Sequence, residues 1–457
     1  MMSTNIKPEG NIISNECLEG TGNLWSYLNE NLPATPPADD YVNEDATSLL
    51  HLAPIKLNAE PMVAVIGVGY VGLQLIAVFS SEFQVLGFDI SKERIGFVQG
   101  EFGHNRNVRC TNDASELKDA THFLIAVPTL LLPDKRIDSS ALRDAIKTVA
   151  MYARPGATVV VESSVAVGMT RQLLGPVAAS RGLFAGMSPE RVDPGRTEPP
   201  IQSIPKVVSG LDDIVPGSLE SITRLYSAVF DTVIPVSKPE IAEMTKLYEN
   251  CQRMICIAYA NEMADACIAH GIDSFEVCAA AATKPFGYLP FTPGLGVGGH
   301  CIPINPYYLL SNNSFPLLQA ATERMRERPS IIAQRVLDSI SVSKEGHYKT
   351  INQRPRVLVV GVGFKAGQAT LSNSPGLELI KSLSQSGRVD VSFADRLVEQ
   401  SMLPQIARLA DGDWNRACLE QYDTIVVAMR QDGMDIELLR EVRGVRIEMW
   451  CTYPIER

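Results

Sequence analysis

Residues 62–91, MVAVIGVGYVGLQLIAVFSSEFQVLGFDIS, decide the fold. A short apolar run ends at Gly67, and Gly67, Gly69 and Gly72 follow the spacing GxGxxG. An apolar, helix-like stretch comes next, and a second apolar run closes on Asp89. Strand, glycine turn, helix and strand within about 30 residues make one βαβ unit. Its glycines have separate tasks: Gly67 permits the tight turn, Gly69 lets a pyrophosphate approach the backbone, and Gly72 allows the helix to pack closely. The helix N-terminus adds unpaired N–H groups and partial positive charge, which favour an anion. Asp89 stands where a carboxylate accepts hydrogen bonds from ribose hydroxyls and repels a 2′-phosphate, so NAD is expected rather than NADP.

Outward from this unit, apolar runs at 122–129 (HFLIAVPT) and 156–165 (GATVVVESSV) flank a helical stretch at 139–152. That alternation predicts a parallel sheet covered by helices. From Ser237 to Gly271 the pattern becomes one long helix, opened by Ser237 with Glu240 three residues on and closed by a glycine. Its small and sulfur-bearing apolar residues suit a buried spine or a subunit interface, and a homodimer or larger homo-oligomer is expected. The opening theme returns at 355–367 (PRVLVVGVGFKAG), with further strands at 389–395, 422–429 and 444–450. There Gly361 and Gly363 are followed by Lys365 instead of another glycine, so the second loop either holds a nucleotide diphosphate differently or is only a turn.

The expected fold class is α/β, with two Rossmann-like parallel-sheet domains joined by a long central helix. Residues 1–60, rich in Asn, Pro, Asp and Glu, read as a loosely ordered extension. An NAD-binding domain over 61–236, a central helical dimerisation domain carrying a cysteine loop over 237–330, and a C-terminal domain built on the second glycine loop over 331–457 follow. The net charge of −11 over 457 residues argues against a nucleic-acid partner, while leaving room for a locally basic pocket. The nine cysteines form no CxxC pair and no metal-ligand spacing, as suits a reducing compartment. With no basic-then-apolar leader and no apolar run near the roughly 18 residues of a membrane span, a cytoplasmic protein without membrane contact is expected.

Cys301 lies in LGVGGHCIPINPYYLL (295–310). A thiolate near a dinucleotide domain suggests covalent redox chemistry: it adds to an aldehyde, the thiohemiacetal loses hydride, and water cleaves the thioester. Glycines 294, 296, 298 and 299 would let backbone amides approach substrate or cysteine. The plain alternative is a small buried hydrophobe.

The chain resembles the UDP-glucose/GDP-mannose dehydrogenase family across nearly all of 61–457, through the ordered motifs GVGYVG (67–72), AVPT (126–129), SSVAVGMT (163–170), SPERVDPG (188–195), KVVSG (206–210), EMTKLYEN (243–250), PGLGVGGHCIPINPYYL (293–309), GVGFK (361–365) and NSPGLELI (373–380). His300 before the cysteine and IPINPYYL after it look more like the UDP-N-acetylhexosamine dehydrogenases than the UDP-glucose enzymes. The resemblance implies NAD-dependent, four-electron oxidation of a nucleotide sugar at C6, through aldehyde and thioester, to the uronate. It makes Cys301 the nucleophile. Lys246 and Asn250, four residues apart and so on one helix face, become the pair that stabilises the oxyanion and holds water. Glu190 matches the acid–base glutamate of thioester hydrolysis, and Thr129 a threonine at the water and cofactor site. Cofactor contacts are carried to Gly67, Gly69, Tyr70, Val71, Gly72, Asp89, Arg94 and Thr129. Substrate contacts are carried to Glu190, Arg191, Lys246, Asn250, Gly298, Phe364 and Lys365.

Departures from the family cluster at the chemistry. Asn305 stands four residues after the nucleophile where relatives have Asp; it can orient water but cannot take a proton. Slower thioester hydrolysis is the expected consequence. Phe286 occupies the place of a basic residue that reaches a neighbouring subunit's substrate, unless Lys284 substitutes. Gly367, Thr370 and Ser372 replace acidic and arginine positions, which weakens the hold on a diphosphate. An alternative reading is therefore a nucleotide-sugar-binding paralogue that keeps NAD binding but oxidises little. A two-electron hydroxyacid dehydrogenase of related architecture is disfavoured, because it has no need of Cys301.

Overall fold

The computed structural model describes residues 60–132, 134–193, 198–343 and 354–451. The expected N-terminal extension lies, but for its last residue, outside them. The first sheet is built from β1 (Met62–Ile66), β2 (Gln84–Phe88), β3 (Val108–Thr111), β4 (His122–Ile125), β7 (Thr158–Val161), β8 (Phe184–Met187), β9 (Lys206–Gly210) and β10 (Val233–Val236), in the order β10-β9-β8-β7-β4-β1-β2-β3. The short strands β5 (Leu130–Leu131) and β6 (Ile137–Asp138) form a separate antiparallel hairpin. Helices α1 (Tyr70–Phe79), α2 (Lys92–Phe102), α3 (Ser140–Tyr152), α4 (Met169–Arg181) and α5 (Ser218–Ser227) connect the strands.

Apolar side chains on both faces of each central strand explain why these elements form a covered sheet. Ala64, Ile66, Phe123 and Ile125 pack on one face with Leu142, Ile146 and Val149 of α3. The alternate residues Val63, Val65 and Leu124 pack on the other with Leu75, Ile76 and Phe79 of α1 and Tyr226 of α5. One contact departs from the expected parallel pattern: β9 runs antiparallel to β8. The strands meet closely there, since a Cβ on Gly186 would stand 1.9 Å from the Ser209 carbonyl oxygen.

The second sheet is parallel throughout, with β11 (Arg356–Val360), β12 (Asp390–Ala394), β13 (Ala407–Arg408), β14 (Thr424–Val427) and β15 (Arg446–Met449) in the order β13-β12-β11-β14-β15. The long helix is α6 (Pro239–Ala269), 31 residues and about 46 Å at 1.5 Å per residue. It is followed by α7 (Ser274–Ala282), α8 (Asn305–Leu310), α9 (Pro316–Ser343) and α10 (Pro375–Gln385).

Two expectations change. Ser237 does not cap α6: the cap is Lys238, without a side-chain bond, and Pro239 occupies the first turn. Proline is preorganised for that position and keeps the preceding residue extended. Glu240 instead pairs with Arg171 of α4 at 2.5 Å. The second change is α9, a 28-residue helix that the sequence reading did not mark. Its charged run and internal Pro329 obscure the helical period. Arg328 and Arg335 of α9 bind Asp265 of α6, each at 2.9 Å, and so join the two long helices.

Candidate active site

The first glycine loop has room for a cofactor. Gly67 has φ +88°, and a Cβ on Gly72 would stand 2.0 Å from the Gly67 carbonyl oxygen, so the helix can pack this closely only on glycine. Above Gly69 nothing lies within 4 Å of a would-be Cβ. Gly69 also caps α1 without a side-chain bond. The Asp89 carboxylate accepts from the Val68 and Ser91 N–H groups at 3.0 and 2.9 Å. Those bonds fix its position at the end of β2 and leave acceptor capacity for ribose hydroxyls. Arg94 donates through Nε to the Val68 carbonyl at 2.7 Å, bracing the same turn. This open loop, helix terminus and strand-end acid suit NAD.

The loop that carries Cys301 is clamped from three elements. Asn261 of α6 accepts from the Gly294 N–H and Arg328 of α9 donates to the Gly294 carbonyl, both at 2.9 Å. Two residues before the cysteine, Gly299 donates its N–H to the Ser372 carbonyl at 3.0 Å, and Asn373 returns a side-chain N–H to the Gly299 carbonyl at 2.9 Å. Phe364 packs on the same segment, where a Cβ on Gly298 or Gly299 would meet it at 3.0 or 2.8 Å. Gly298 and Phe364, carried over as substrate contacts, thus hold the second sheet's loop against the cysteine loop. Cys301 itself is half-buried, and its carbonyl accepts from the Asn305 N–H at 2.9 Å as α8 begins.

One face of α6 lies along this loop. Glu243 caps α4 from outside, accepting from the Gly168 and Thr170 N–H groups at 2.6 and 2.9 Å, which ties α6 to the first sheet. One turn on, Lys246 is buried within electrostatic reach of Cys301 and Glu190; burial pushes its ammonium below the usual lysine range, while those two groups pull it back. Asn250, the next turn, is bound at both ends. Arg253 donates to its Oδ1 at 2.7 Å, and its Nδ2 donates to Asn305 Oδ1. A guanidinium can only donate, so the polarity of this row is fixed and Asn305 presents an oxygen to α6.

Glu190 is buried between the sheet and α6. Its Oε1 accepts from the Arg191 and Val192 N–H groups at 2.6 and 2.8 Å, and its Oε2 from Lys206 at 3.0 Å. Thr129, after β4, donates to the Ser164 carbonyl at 2.7 Å and accepts from the Tyr308 hydroxyl of α8 at 2.6 Å. Burial pushes that phenol up to about 12. A cleft of about 810 Å³ opens beside the loop, with His300, Pro303 and Ile304 in its wall together with Lys135, Tyr307 and Asn373.

Lys246, Asn250, Asn305, Glu190 and Cys301 therefore converge, joined by hydrogen bonds or short-range electrostatics. Other assigned residues are engaged elsewhere. The Arg191 guanidinium binds Glu249 at 2.6 Å and the Pro205 carbonyl at 2.7 Å. Lys365 reaches Asp193 at 2.9 Å. Phe286 is exposed on the surface with Lys284 over its ring at 5.0 Å. The sequence reading passed over Lys206, Arg253 and Tyr308. Glu162 within VVVESSV held the one clue, since a carboxylate inside an apolar strand needs a buried cation.

Residues 97–230 match the UDP-glucose/GDP-mannose dehydrogenase family NAD binding domain, and residues 240–324 its central domain. Protein CapL of Staphylococcus aureus is 34% identical over 349 residues, covering 71% of this chain and 80% of that protein. The UDP-N-acetyl-D-glucosamine 6-dehydrogenase of Pseudomonas aeruginosa is 32% identical over 375 residues, covering 75% and 86%. The solved UDP-D-ManNAc dehydrogenase of Pyrococcus horikoshii superposes with a TM-score of 0.74 at 25% identity, covering 85% of this chain and 99% of that one. With its open first glycine loop, its two Rossmann-like sheets and these matches, the chain belongs to the UDP-glucose/GDP-mannose dehydrogenase family.

Proposed function

We propose that the chain oxidises the C6 hydroxyl of a UDP-N-acetylhexosamine or UDP-hexose to the carboxylate through a thioester on Cys301. The observation that carries this reading is the convergence of Lys246, Asn250 and Glu190 on the Cys301 loop. NAD bound at the first loop supplies the hydride acceptor. Cys301 adds to the C6 aldehyde, and Lys246 offsets the charge that develops on its oxygen. Once the thiohemiacetal is oxidised, water held by Asn250 and Asn305 attacks the thioester. Glu190 takes the proton from that water, and the thiolate leaves. Two hydrides leave per sugar, and one water is consumed.

In the same reading, residues 61–236 bind NAD, 237–330 assemble the dimer and carry the cysteine loop, and 331–457 hold the nucleotide. Exposed apolar residues support the dimer: Tyr248 and Tyr259 of α6 are 67% and 65% exposed, and Ile268 is 60% exposed. Among the described residues no helix is long and apolar enough to cross a membrane, and we assign the protein to the cytoplasm. A monomer in light scattering at micromolar concentration would sink the dimer.

The test is to incubate the protein with NAD and a panel of UDP- and GDP-sugars and count NADH per sugar consumed. The expected ratio is two, and Cys301→Ser should stop turnover to the uronate and leave at most one NADH per sugar. No NADH with any sugar, together with sugar binding by calorimetry, would establish the binding-paralogue reading instead.

A further inference from the structure

Behind Glu190, the first sheet buries charges that the chemistry above leaves unused. Lys206 opens β9 and Glu162 follows β7, and their side chains are 3% and 0% exposed. The Lys206 ammonium donates to Glu162 Oε2 at 2.8 Å and to Glu190 Oε2 at 3.0 Å. On its far side Glu162 accepts from the Tyr226 hydroxyl of α5. The rings of Tyr226 and Phe230 lie 5.9 and 5.6 Å from the same ammonium. Well-packed apolar residues often serve a fold as well as a buried ion pair does, so stability alone does not explain this one.

Followed from the sheet toward the cysteine, the signs alternate from Glu162 to Lys206, Glu190 and Lys246, and Cys301 lies beyond. We propose that Lys206 is a positioning residue for thioester hydrolysis, holding Glu190 as an oriented carboxylate so that it is ready to accept the proton of the attacking water. The proposal rests on the role given to Glu190 above. The geometry bears it directly, because Lys206 fixes Oε2 while the Arg191 and Val192 N–H groups fix Oε1.

The titratable and charged groups around Glu190 are Lys206 from β9, Glu162 beyond β7, Tyr226 from α5 and Lys246 from α6. Burial pushes the Glu190 carboxyl up, but Lys206, the Val192 N–H and Lys246 outweigh it and hold the group below the usual glutamate range. Ionised Glu190 therefore stabilises the fold above its unfolded value of about 4.3, and that contribution is lost as pH falls through the lower folded value. Without Lys206, two buried carboxylates would face each other without the cation between them, and the folded value would rise. The sign then reverses: Glu190 favours the fold only while protonated, and the benefit is lost as pH rises.

Two readouts test this. In the pH–rate profile of steady-state NADH formation with NAD and UDP-N-acetyl-D-glucosamine or UDP-N-acetyl-D-mannosamine, Lys206→Met should move the acid limb up by one pH unit or more. KM should change less than kcat, and Lys206→Arg should restore the limb. The second readout needs no turnover: the melting temperature of Glu190→Gln against its parent, from pH 4 to 8. In the Lys206 background Glu190→Gln should lower the midpoint at pH 7, and in the Lys206→Met background it should raise it. Should Lys206→Met not fold, Lys206→Met/Glu162→Gln, which removes one charge of each sign, takes its place in both measurements. An acid limb that stays in place, with Glu190→Gln destabilising both backgrounds equally, would overturn the proposal. Turnover indifferent to Glu190→Gln in the wild-type background would overturn the role of Glu190, while the melting series would still decide whether Lys206 holds it ionised.

Discussion

The two glycine loops use one turn and put it to different ends. In each, a glycine ends the first strand with positive φ, +88° at Gly67 and +78° at Gly361. In each, an aspartate at the end of the next strand accepts from the N–H of the following residue, Val68 to Asp89 and Val362 to Asp395. The first loop is open above Gly69. The second is filled: a Cβ on Gly363 would stand 2.3 Å from the Gln368 carbonyl oxygen and 3.4 Å from Gln431 Nε2. Asp395 is only 1% exposed and accepts from Val362, Gly363, Leu397 and Val398 N–H groups and from Gln431. The shared turn is a way of ending a strand and starting a helix. Whether it receives a cofactor depends on what the rest of the chain puts over it.

The largest effects should come from the tight glycines. Gly72→Val, against an oxygen 2.0 Å from the first added atom, should remove NAD binding in calorimetry and lower the melting temperature. Gly361→Ala should unfold the second sheet, because its Cβ would meet the Met429 carbonyl oxygen at 2.0 Å in a left-handed conformation. Gly69→Ala, with open space above it, should keep the melting temperature and weaken NAD alone.

The two aspartates should separate next. Asp395→Ala leaves several buried N–H groups without an acceptor and should cost about 3 kcal/mol or more in denaturant unfolding. Asp89→Ala should change stability little, weaken NAD about tenfold and relax discrimination against NADP. A wild type that prefers NADP would break the assignment of Asp89.

A smaller effect is expected at Asn305. Because Arg253 fixes the polarity of the Asn250 amide, Asn305→Asp keeps an oxygen facing Asn250 Nδ2 and should fold as the wild type does. It adds a charge and a proton acceptor near the thioester, so kcat should rise, and mass spectrometry of quenched enzyme should find less sugar adduct on Cys301. Unchanged kcat and adduct would mean that hydrolysis does not depend on this position. The smallest effect is reserved for Gln431→Ala. It should lose about 1 kcal/mol without creating NAD affinity at the second loop, since the Gln368 carbonyl still occupies it.

Local patterns made much of this fold legible. The GxGxxG turn, its helix and Asp89 lie within one unit, so glycine sterics and strand periodicity sufficed to read them. Charged residues whose partners come from distant strands were less legible. Lys206 opens a short strand and reads as a solvated end, yet it is buried because Glu190, after the adjacent β8, and Glu162, after β7 one strand further, both meet it. Arg253 binds Asn250 three residues back on α6, a pairing whose use shows only when α8 brings Asn305 beside Asn250. Ser372, read as a loss from a ligand site, and Asn373, which opens the matching motif NSPGLELI, hold Gly299 by its backbone.

The helix α6 also acts as a ruler. Glu243 grips α4, Lys246 and Asn250 stand at the cysteine loop, Asn261 holds Gly294, and Asp265 binds α9, all along one continuous rod. Each residue on it fixes a rotation of about 100° and a rise of about 1.5 Å. A single residue inserted between Asn250 and Asn261 would turn every later side chain away from its partner at once, whereas a seven-residue insertion would nearly restore the facing while displacing the partners by about 10 Å. The distance between the cofactor's sheet and the cysteine loop is therefore counted in residues of one helix, and drift in its length is barred even where its exposed surface is free to vary.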